Sequence, residues 1–369
     1  MNIPLSAPDI GEADIESVVN VLRTPRLSIG PKMEEFEASV AAYIGVPHAV
    51  ALSSGTAGLH LGLIALGIGE GDEVILPSFT FIAVAHAVLY LRARPVFADI
   101  DPVTLNLTAE TVARVITPRT RAIIVVHTFG CPADLSPILE LAARHRIPVV
   151  EDACEALGAE YRGAKAGGIG HFGVFGFYPN KPITTGEGGM VVTRDRQLAE
   201  TIRALRNQGR RPADGWLDHA LLGYNYRLSE INCALGLSQM TRIGAVLARR
   251  ENRAAFYSEH LRHIPDLTLP SFQAHESRVC WFVFVVRVNH PDAILAHMAG
   301  RGIACGRYFA PLHLQPLYTA YLGPASRLAV TEMVARQTLA LPFFNRLADD
   351  EIVEVCLALR EALNAVGHT

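Results

Sequence analysis

The chain has 369 residues, of which 50% are hydrophobic and 19% are charged. This composition supplies enough apolar side chains for a large core and excludes a disordered chain, and the length predicts two or three domains. The formal net charge of −3 is spread without long runs of one sign, so the chain lacks the basic surface that phosphate backbones attract. We therefore expect no nucleic-acid partner.

Six cysteines are scattered along the chain and none forms a CxxC pair, which predicts free thiols in a reducing cytosol and no metal site. Segments 38–69 and 74–91 contain no Asp, Glu, Lys or Arg, but prolines and serines interrupt both. A membrane span is mostly unbroken apolar sequence, so we interpret both segments as buried units of the core. The N-terminus turns acidic before a signal peptide could form, and we expect a cytoplasmic protein without a membrane partner.

The first 150 residues alternate between helical periodicity and short segments rich in Val and Ile. Helices are predicted at residues 12–23, 33–43, 56–66, 82–91, 109–115 and 137–144. Strands are predicted at residues 48–52, 73–76, 95–98, 122–126 and 148–151. This alternation is typical of an α/β fold, with helices on both faces of a mainly parallel sheet.

Beyond residue 151 the pattern changes. The predicted elements are strands at 171–177 and 189–193, a long helical region at about 229–260, a strand at 279–288 and a closing helix at 349–365. We predict a large α/β domain over residues 1–245 and a smaller C-terminal α+β domain over residues 246–369.

Two residues 29 positions apart suggest chemistry. Asp152 ends a predicted parallel strand, where open α/β sheets place their ligands, although a lone Asp there commonly caps the next segment. Lys181 stands among aromatic residues, prolines and glycines. Such surroundings favour a neutral amine that can attack an aldehyde, whereas most lysines are charged surface residues.

A third element is the segment 53–58, SSGTAG, at a predicted strand-to-helix junction. The N–H groups at Gly55 and Thr56 could bind a phosphate, or the segment could be an ordinary helix cap. Together with Asp152 and Lys181 it meets the needs of pyridoxal phosphate, which requires an amine, a carboxylate and an anion site. Phe81 could stack on the ring of that cofactor or belong to the core.

Several segments resemble the DegT-type sugar aminotransferases, a branch of the fold-type I pyridoxal phosphate enzymes. They are SGTAGLHL, GDEVILPSFTFIA, VVEDACEALGAEYRG, FYPNKPITTGEGGMVVT, LGYNYRLSEINCALGLSQM and YFAPLHLQPLY. They occur in family order over essentially the whole chain. The resemblance implies a large domain that binds pyridoxal phosphate, a smaller C-terminal domain and a homodimer with composite active sites.

The resemblance also implies individual roles. Lys181 would form the Schiff base with the cofactor and shuttle the proton during catalysis, and Asp152 would pair with the pyridine nitrogen. Gly55 and Thr56 would hold the phosphate, and Phe81 would stack on the ring. Asn225 would reach the phosphate of the neighbouring subunit's cofactor.

Two positions depart from the family pattern. Many members carry serine where this chain has Gly176, so a phosphate contact is lost here or supplied by backbone or water. Many members have His or Gln near the ring oxygen where this chain has Glu155, so either Glu155 turns away or its protonation matters. Lys181 argues against the branch that replaces this lysine with histidine and dehydrates its sugar.

The implied reaction uses L-glutamate as amino donor and a nucleotide-linked keto-deoxysugar, 3-keto or 4-keto, as acceptor in amino-sugar biosynthesis. Ser28, Arg227, His313 and Tyr318 are further candidates for substrate contacts, and for His313 and Tyr318 packing between the domains is an equal alternative. Two alternatives remain open: an aminotransferase acting on a keto-cyclitol, and a non-catalytic regulator that keeps the fold.

Overall fold

The computed structural model describes residues 2–211, 215, 218–271, 277–323 and 326–366. The strands are β1 His48–Leu52, β2 Glu73–Pro77, β3 Arg94–Ala98, β4 Thr120–Val126, β5 Val149–Asp152, β6 Glu160–Tyr161, β7 Ala164–Lys165, β8 Phe172–Gly176, β9 Gly189–Thr193, β10 Leu267–Thr268, β11 Ser277–Arg278, β12 Phe284–Val288 and β13 Thr338–Leu341. The helices are α1 Glu12–Leu22, α2 Pro31–Ile44, α3 Gly55–Ala65, α4 Ala83–Leu89, α5 Ala109–Ala113, α6 Leu135–His145, α7 Arg196–Arg206, α8 Glu230–Met240, α9 Ile243–Leu261, α10 Pro291–Gly300, α11 Pro316–Leu322, α12 Ala329–Gln337 and α13 Asp349–Val366.

Seven strands form the central sheet in the order β1-β9-β8-β5-β4-β2-β3. All neighbours in it pair in parallel except β9, which is antiparallel to both β1 and β8. Alternate residues of each strand face opposite sides, as the pleat requires. Val50 and Leu52 pack with α3 and α7, whereas Ala49 and Ala51 pack with α2 on the other face. The predicted α/β architecture, with a mainly parallel sheet covered on both faces, is confirmed.

The C-terminal part has its own antiparallel sheet, β10-β12-β13, and its own core together with α9, α10 and α13. The N-terminal arm joins this core, because Ile3 is fully buried in it and pairs with the backbone of Gly302 and Ala304. A third small sheet, β11-β6-β7, ties the two parts of the chain together. The domain boundary between residues 245 and 246 stays a prediction.

The helical region predicted at 229–260 is confirmed, and it consists of two helices, α8 and α9. Arg242 leaves helical geometry between them at φ −117° and ψ 13°. Its guanidinium is instead bound by the carboxylates of Asp9 and Asp14, at 2.9 and 2.7 Å. The chain therefore turns at the residue whose side chain binds two buried carboxylates of the N-terminal arm.

The strand predicted at 279–288 is wrong in its first half, since β12 begins only at Phe284. The N–H groups of Cys280 and Phe282 donate to the carbonyl oxygens of Gly130 and Phe129, and not to a strand. Trp281 between them has a left-handed backbone, with φ at 54°. This segment is thereby available to line a cavity.

All six cysteines are free, as predicted. Over the described residues, no helix combines the length and apolar character needed to cross a bilayer.

Candidate active site

A cavity of about 470 Å³ lies at the carboxyl edge of the central sheet. Asp152 at the end of β5, Gly176 at the end of β8 and the first residues of α3 all line it. Because β4, β5 and β8 run in parallel, their carboxyl ends meet at this edge. The predicted residues that line the cavity are Gly55, Thr56, Phe81, Asp152, Glu155, Gly176 and Lys181.

Asp152 is almost fully buried, at 7% exposure, and β5 sets its position between β4 and β8. One carboxylate oxygen accepts a hydrogen bond from the N–H of Cys154 at 3.0 Å. An anionic carboxylate in this place can hold a proton on a heterocyclic nitrogen that enters the cavity.

Lys181 lies in the connection between β8 and β9, which folds back on itself. Thr185 N–H and the Thr184 hydroxyl both donate to the carbonyl oxygen of Phe177. From the other side, the side chain of Asn345 donates to the carbonyl oxygen of Pro182 at 3.4 Å. These bonds fix a loop that has no regular structure of its own and place the Lys181 side chain, 14% exposed, at the cavity.

Glu155 does not turn away from the cavity. Its Oε1 lies 3.8 Å from Lys181 Nζ, and its Oε2 accepts a hydrogen bond from the N–H of Phe129 at 2.9 Å. Burial raises the pKa of Glu155, although the positive charge of Lys181 and the Phe129 N–H oppose this shift. The carboxyl group is therefore poised to take up a proton more readily than an exposed glutamate.

The first turn of α3 provides the anion site. Ser54 caps the helix through its hydroxyl, which accepts from the N–H of Ala57, while the first N–H groups of a helix have no internal acceptor. The backbone approaches the β5 loop closely here, because a Cβ on Gly55 would lie 2.7 Å from Cys154 Sγ. Glycine is therefore needed for this approach.

The described residues fit pyridoxal phosphate. The N–H groups at Gly55 and Thr56 suit its phosphate, Asp152 suits its ring nitrogen and Lys181 suits its aldehyde. Phe81 lines the cavity and is 60% exposed, which is unusual for a large apolar side chain unless a ligand packs against it. At Gly176 an added Cβ would lie 3.5 Å from Cys154 and 4.0 Å from Lys181 Cε, which are ordinary contact distances, so the site has room for a serine.

Five of the predicted site residues do not line this cavity: Ser28, Asn225, Arg227, His313 and Tyr318. Asn225 pairs with Asn207 in an isolated bridge, and Arg227 donates to the side chain of Asn207 at 3.0 Å. Ser28 forms a similar bridge with Ser229. Their roles stay predictions, and the partner role of Asn225 requires a position outside its own chain's cavity.

His313 and Tyr318 are buried in packing contacts. His313 Nδ1 lies 2.6 Å from the Ser78 hydroxyl, and burial lowers the pKa of this histidine. Tyr318 is 1% exposed and packs edge-on against Phe97. This placement favours the packing alternative, and a substrate contact by either residue stays a prediction.

Sequence reasoning missed Phe282, Tyr308 and Phe309, which close the cavity from the C-terminal part. Phe282 faces Lys181, with the ring centroid 4.0 Å from Nζ. It was hidden inside the predicted strand at 279–288, and the aromatic pair YF ahead of the APLHLQPLY motif was the only local signal for the other two.

The comparisons with known proteins agree with this geometry. The sequence profile of the DegT/DnrJ/EryC1/StrS aminotransferase family matches residues 8–360. The GDP-perosamine synthase of Caulobacter vibrioides is 40% identical over 367 residues, which are 98% of each chain.

Solved structures show the same fold. The aminotransferase TlmJ from Streptoalloteichus hindustanus superposes with a TM-score of 0.95 at 34% identity, covering 99% of this chain and 100% of that one. DesV of S. venezuelae, solved in complex with a ketimine intermediate, gives a TM-score of 0.90 at 39% identity over 94% and 93% of the two chains. The expected fold of a fold-type I aminotransferase is thereby confirmed, and aminotransferases of this family depend on pyridoxal phosphate. The chain belongs to the DegT/DnrJ/EryC1/StrS family and is a sugar aminotransferase.

Proposed function

We propose that this chain transfers the amino group of L-glutamate to a keto-deoxysugar linked to a nucleoside diphosphate, with pyridoxal phosphate as cofactor. The observation that carries the proposal is the meeting of Lys181, Asp152 and the first turn of α3 around a single cavity. An amine, a carboxylate and an anion site that line one cavity meet the three needs of that cofactor.

When bound, pyridoxal phosphate supplies an aldehyde that takes up the amino group and a ring that accepts electron density from the substrate carbon. Asp152 holds the proton on the ring nitrogen, because its buried carboxylate lies at the end of the cavity where β5 ends. The first turn of α3 holds the phosphate through its N–H groups. Phe81 covers one face of the ring.

Lys181 moves the proton. When the cofactor is bound, the neutral amine of Lys181 at Nζ would take a proton from the substrate carbon that bears the nitrogen and would give it to the carbon of the cofactor's aldehyde group, as a general base and then a general acid. Phe282, Tyr308 and Phe309 exclude water on the side of the C-terminal domain. The same residues serve both halves of the exchange, since the second half reverses the first on a different substrate.

We propose further that the enzyme is a homodimer in which Asn225 of each protomer completes the phosphate site of its partner. The placement of Asn225 outside its own cavity supports this arrangement. Arg227 donates to the side chain of Asn207, the residue that pairs with Asn225, and Ser28 pairs with Ser229 close by in sequence. We therefore assign Ser28 and Arg227 to the substrate side of the shared site.

The acceptor follows from a relative. Because the 40% identical relative is named a GDP-perosamine synthase, a guanosine diphosphate-linked keto-deoxysugar is the first acceptor to test. Incubation with L-glutamate and a panel of guanosine, thymidine and uridine diphosphate keto-sugars, analysed by mass spectrometry, should yield one aminated product. Lys181→Ala is the negative control.

Other outcomes of the same panel contradict the proposal. Amination of keto-cyclitols with none of the nucleotide sugars would assign the chain to a different acceptor class. Absence of pyridoxamine formation from L-glutamate together with absence of any product would favour a regulator that keeps the fold.

A further inference from the structure

The chain has only three lysines, Lys32, Lys165 and Lys181. Of these, Lys181 alone lines the cavity over the described residues. Its Nζ lies between a carboxylate and an aromatic face, 3.8 Å from Glu155 Oε1 and 4.0 Å from the ring centroid of Phe282. Both groups attract an ammonium ion and neither prefers a neutral amine.

One residue holds both groups in place. Phe129 donates its N–H to Glu155 Oε2 at 2.9 Å and accepts the N–H of Phe282 on its carbonyl oxygen at 3.3 Å. It does so in the left-handed region, at φ 58° and ψ 18°, which a phenylalanine adopts only under constraint. Arg250, buried behind, donates to the carbonyl oxygen of Phe282 at 2.8 Å.

We propose that Glu155 and Phe282 form a docking site that holds Lys181 as an ammonium ion whenever its nitrogen is not bonded to the cofactor. This inference rests on the role that the proposed function gives to Lys181. Between the two half-reactions of transamination the Lys181 amine is not bonded to the cofactor. Without contacts that hold it, its flexible four-carbon stem would let the amine move away from the reacting atoms. Glu155 and Phe282 are positioning residues in this account.

The docking site also explains how the Lys181 ammonium group loses its proton before catalysis. Lys181 must be neutral before it can take a proton from the substrate carbon. The ammonium gives its proton to Glu155 Oε1, so one N–H bond breaks, one O–H bond forms, and the pair passes from opposite charges to two neutral groups. Burial favours the protonated form of Glu155, and rotation of the Lys181 stem closes the 3.8 Å gap.

The test measures the reactivity of each lysine towards a small acylating reagent. Protein loaded with pyridoxamine phosphate, which has no aldehyde to bind Lys181, is pulsed with limiting acetic anhydride at constant pH. Peptide mass spectrometry then gives the acetylation rate at all three lysines. Lys165 is a matched internal control, because it pairs with Glu160 at 2.7 Å and lies 4.7 Å from the Tyr43 ring centroid.

In Glu155→Gln, Lys181 should be acetylated about tenfold faster or more, because the carboxylate that lies 3.8 Å from its Nζ is replaced by a neutral amide. The glutamine carbonyl can still accept the Phe129 N–H, so the loop keeps its anchor. In Phe282→Leu the rate should rise about two- to fivefold, the effect of losing one cation–π contact. Lys32 and Lys165 should react at unchanged rates in both variants.

Unchanged acetylation of Lys181 in both variants would overturn the proposal. If Glu155→Gln does not fold, the rate in Phe282→Leu decides alone. The measurement uses neither L-glutamate nor a sugar, so a chain with a different acceptor would still show the effect. Failure of the acceptor panel and failure of the docking site are therefore separate results.

Discussion

Glu151 and Asp152 are consecutive residues of β5, and we assign the first a structural role and the second a role in catalysis. The Glu151 carboxylate is fully buried beneath the sheet edge. It accepts four hydrogen bonds, from His127 Nε2 at 2.9 Å and from the N–H groups of Gly167, Ile169 and Gly170 at 2.7, 2.7 and 2.6 Å. We predict that Glu151→Gln costs stability and that Asp152→Asn costs activity.

The magnitude follows from the donors. A glutamine has one carbonyl oxygen, so its NH₂ group would face about two donors that no longer have an acceptor. Each unpaired buried donor costs about 1–3 kcal/mol, so two of them cost about 2–6 kcal/mol. We therefore expect Glu151→Gln to lower the free energy of unfolding by about 2–6 kcal/mol at pH 7.

The loss should depend on pH. Burial by itself would raise the pKa of Glu151, but the hydrogen bond and charge of His127 and the N–H groups outweigh it and hold this pKa below its ordinary value. A depressed pKa stabilises the fold above the unfolded-state value of about 4.3, and this stability is lost as the pH falls through the folded-state value. The difference in the free energy of unfolding between wild type and Glu151→Gln should therefore become smaller at acid pH.

Asp152→Asn should behave in the opposite way. The asparagine oxygen can still accept the N–H of Cys154, so the free energy of unfolding should change by less than about 1 kcal/mol. The charge opposite the ring nitrogen is lost, and we expect the first half-reaction to slow by about 100-fold or more, as when a preorganised electrostatic partner is removed.

Urea unfolding followed by circular dichroism, at one protein concentration, measures the first effect, and a single turnover with L-glutamate measures the second. Glu140→Gln, an exposed position on α6, is the control for a glutamate without this network. The reasoning is refuted if Glu151→Gln is as stable as Glu140→Gln, or if Asp152→Asn destabilises the fold as much as Glu151→Gln does.

Three further predictions concern the phosphate site. Gly176→Ser should lower the dissociation constant for pyridoxal phosphate, because its Cβ would lie at ordinary contact distances from Cys154 and Lys181, 3.5 and 4.0 Å. Gly55→Ala should raise this constant, because its Cβ would lie 2.7 Å from Cys154 Sγ. Equilibrium titration of the visible cofactor band checks both, and a tighter Gly55→Ala protein would contradict the assignment. Mixing Lys181→Ala with Asn225→Ala protein should recover activity that neither variant has alone, since one of the two composite sites is then intact. If the mixture regains no activity after the subunits have exchanged, Asn225 acts in the site of its own chain.

The alternating half of the fold could be predicted because short strands rich in Val and Ile alternate there with helical segments. The strand at 48–52 and that at 189–193 have the predicted bounds. The C-terminal half was harder, because long-range polar contacts decide it. The break at Arg242 depends on carboxylates of the N-terminal arm, and the loop before Phe284 depends on carbonyls near residue 130.

The candidate site shows the same division. Asp152, Lys181 and the SSGTAG segment are local motifs with a recognisable chemistry, and the structure brings them to one cavity. Phe282 contributes through tertiary packing alone, and no local pattern marks it. The orientation of Glu155 also depended on a distant N–H group, that of Phe129. Asn225 does not line its own chain's cavity, so no contact within one chain marks it as a site residue.

The most direct test of the central claim is the visible absorption spectrum of the purified protein, loaded with pyridoxal phosphate, before and after addition of L-glutamate. The account predicts a yellow protein whose visible band disappears with L-glutamate, returns when the correct nucleotide keto-sugar is added, and does not respond in this way in Lys181→Ala. A protein that stays colourless with added pyridoxal phosphate, or a Lys181→Ala variant that turns over like wild type, would contradict it.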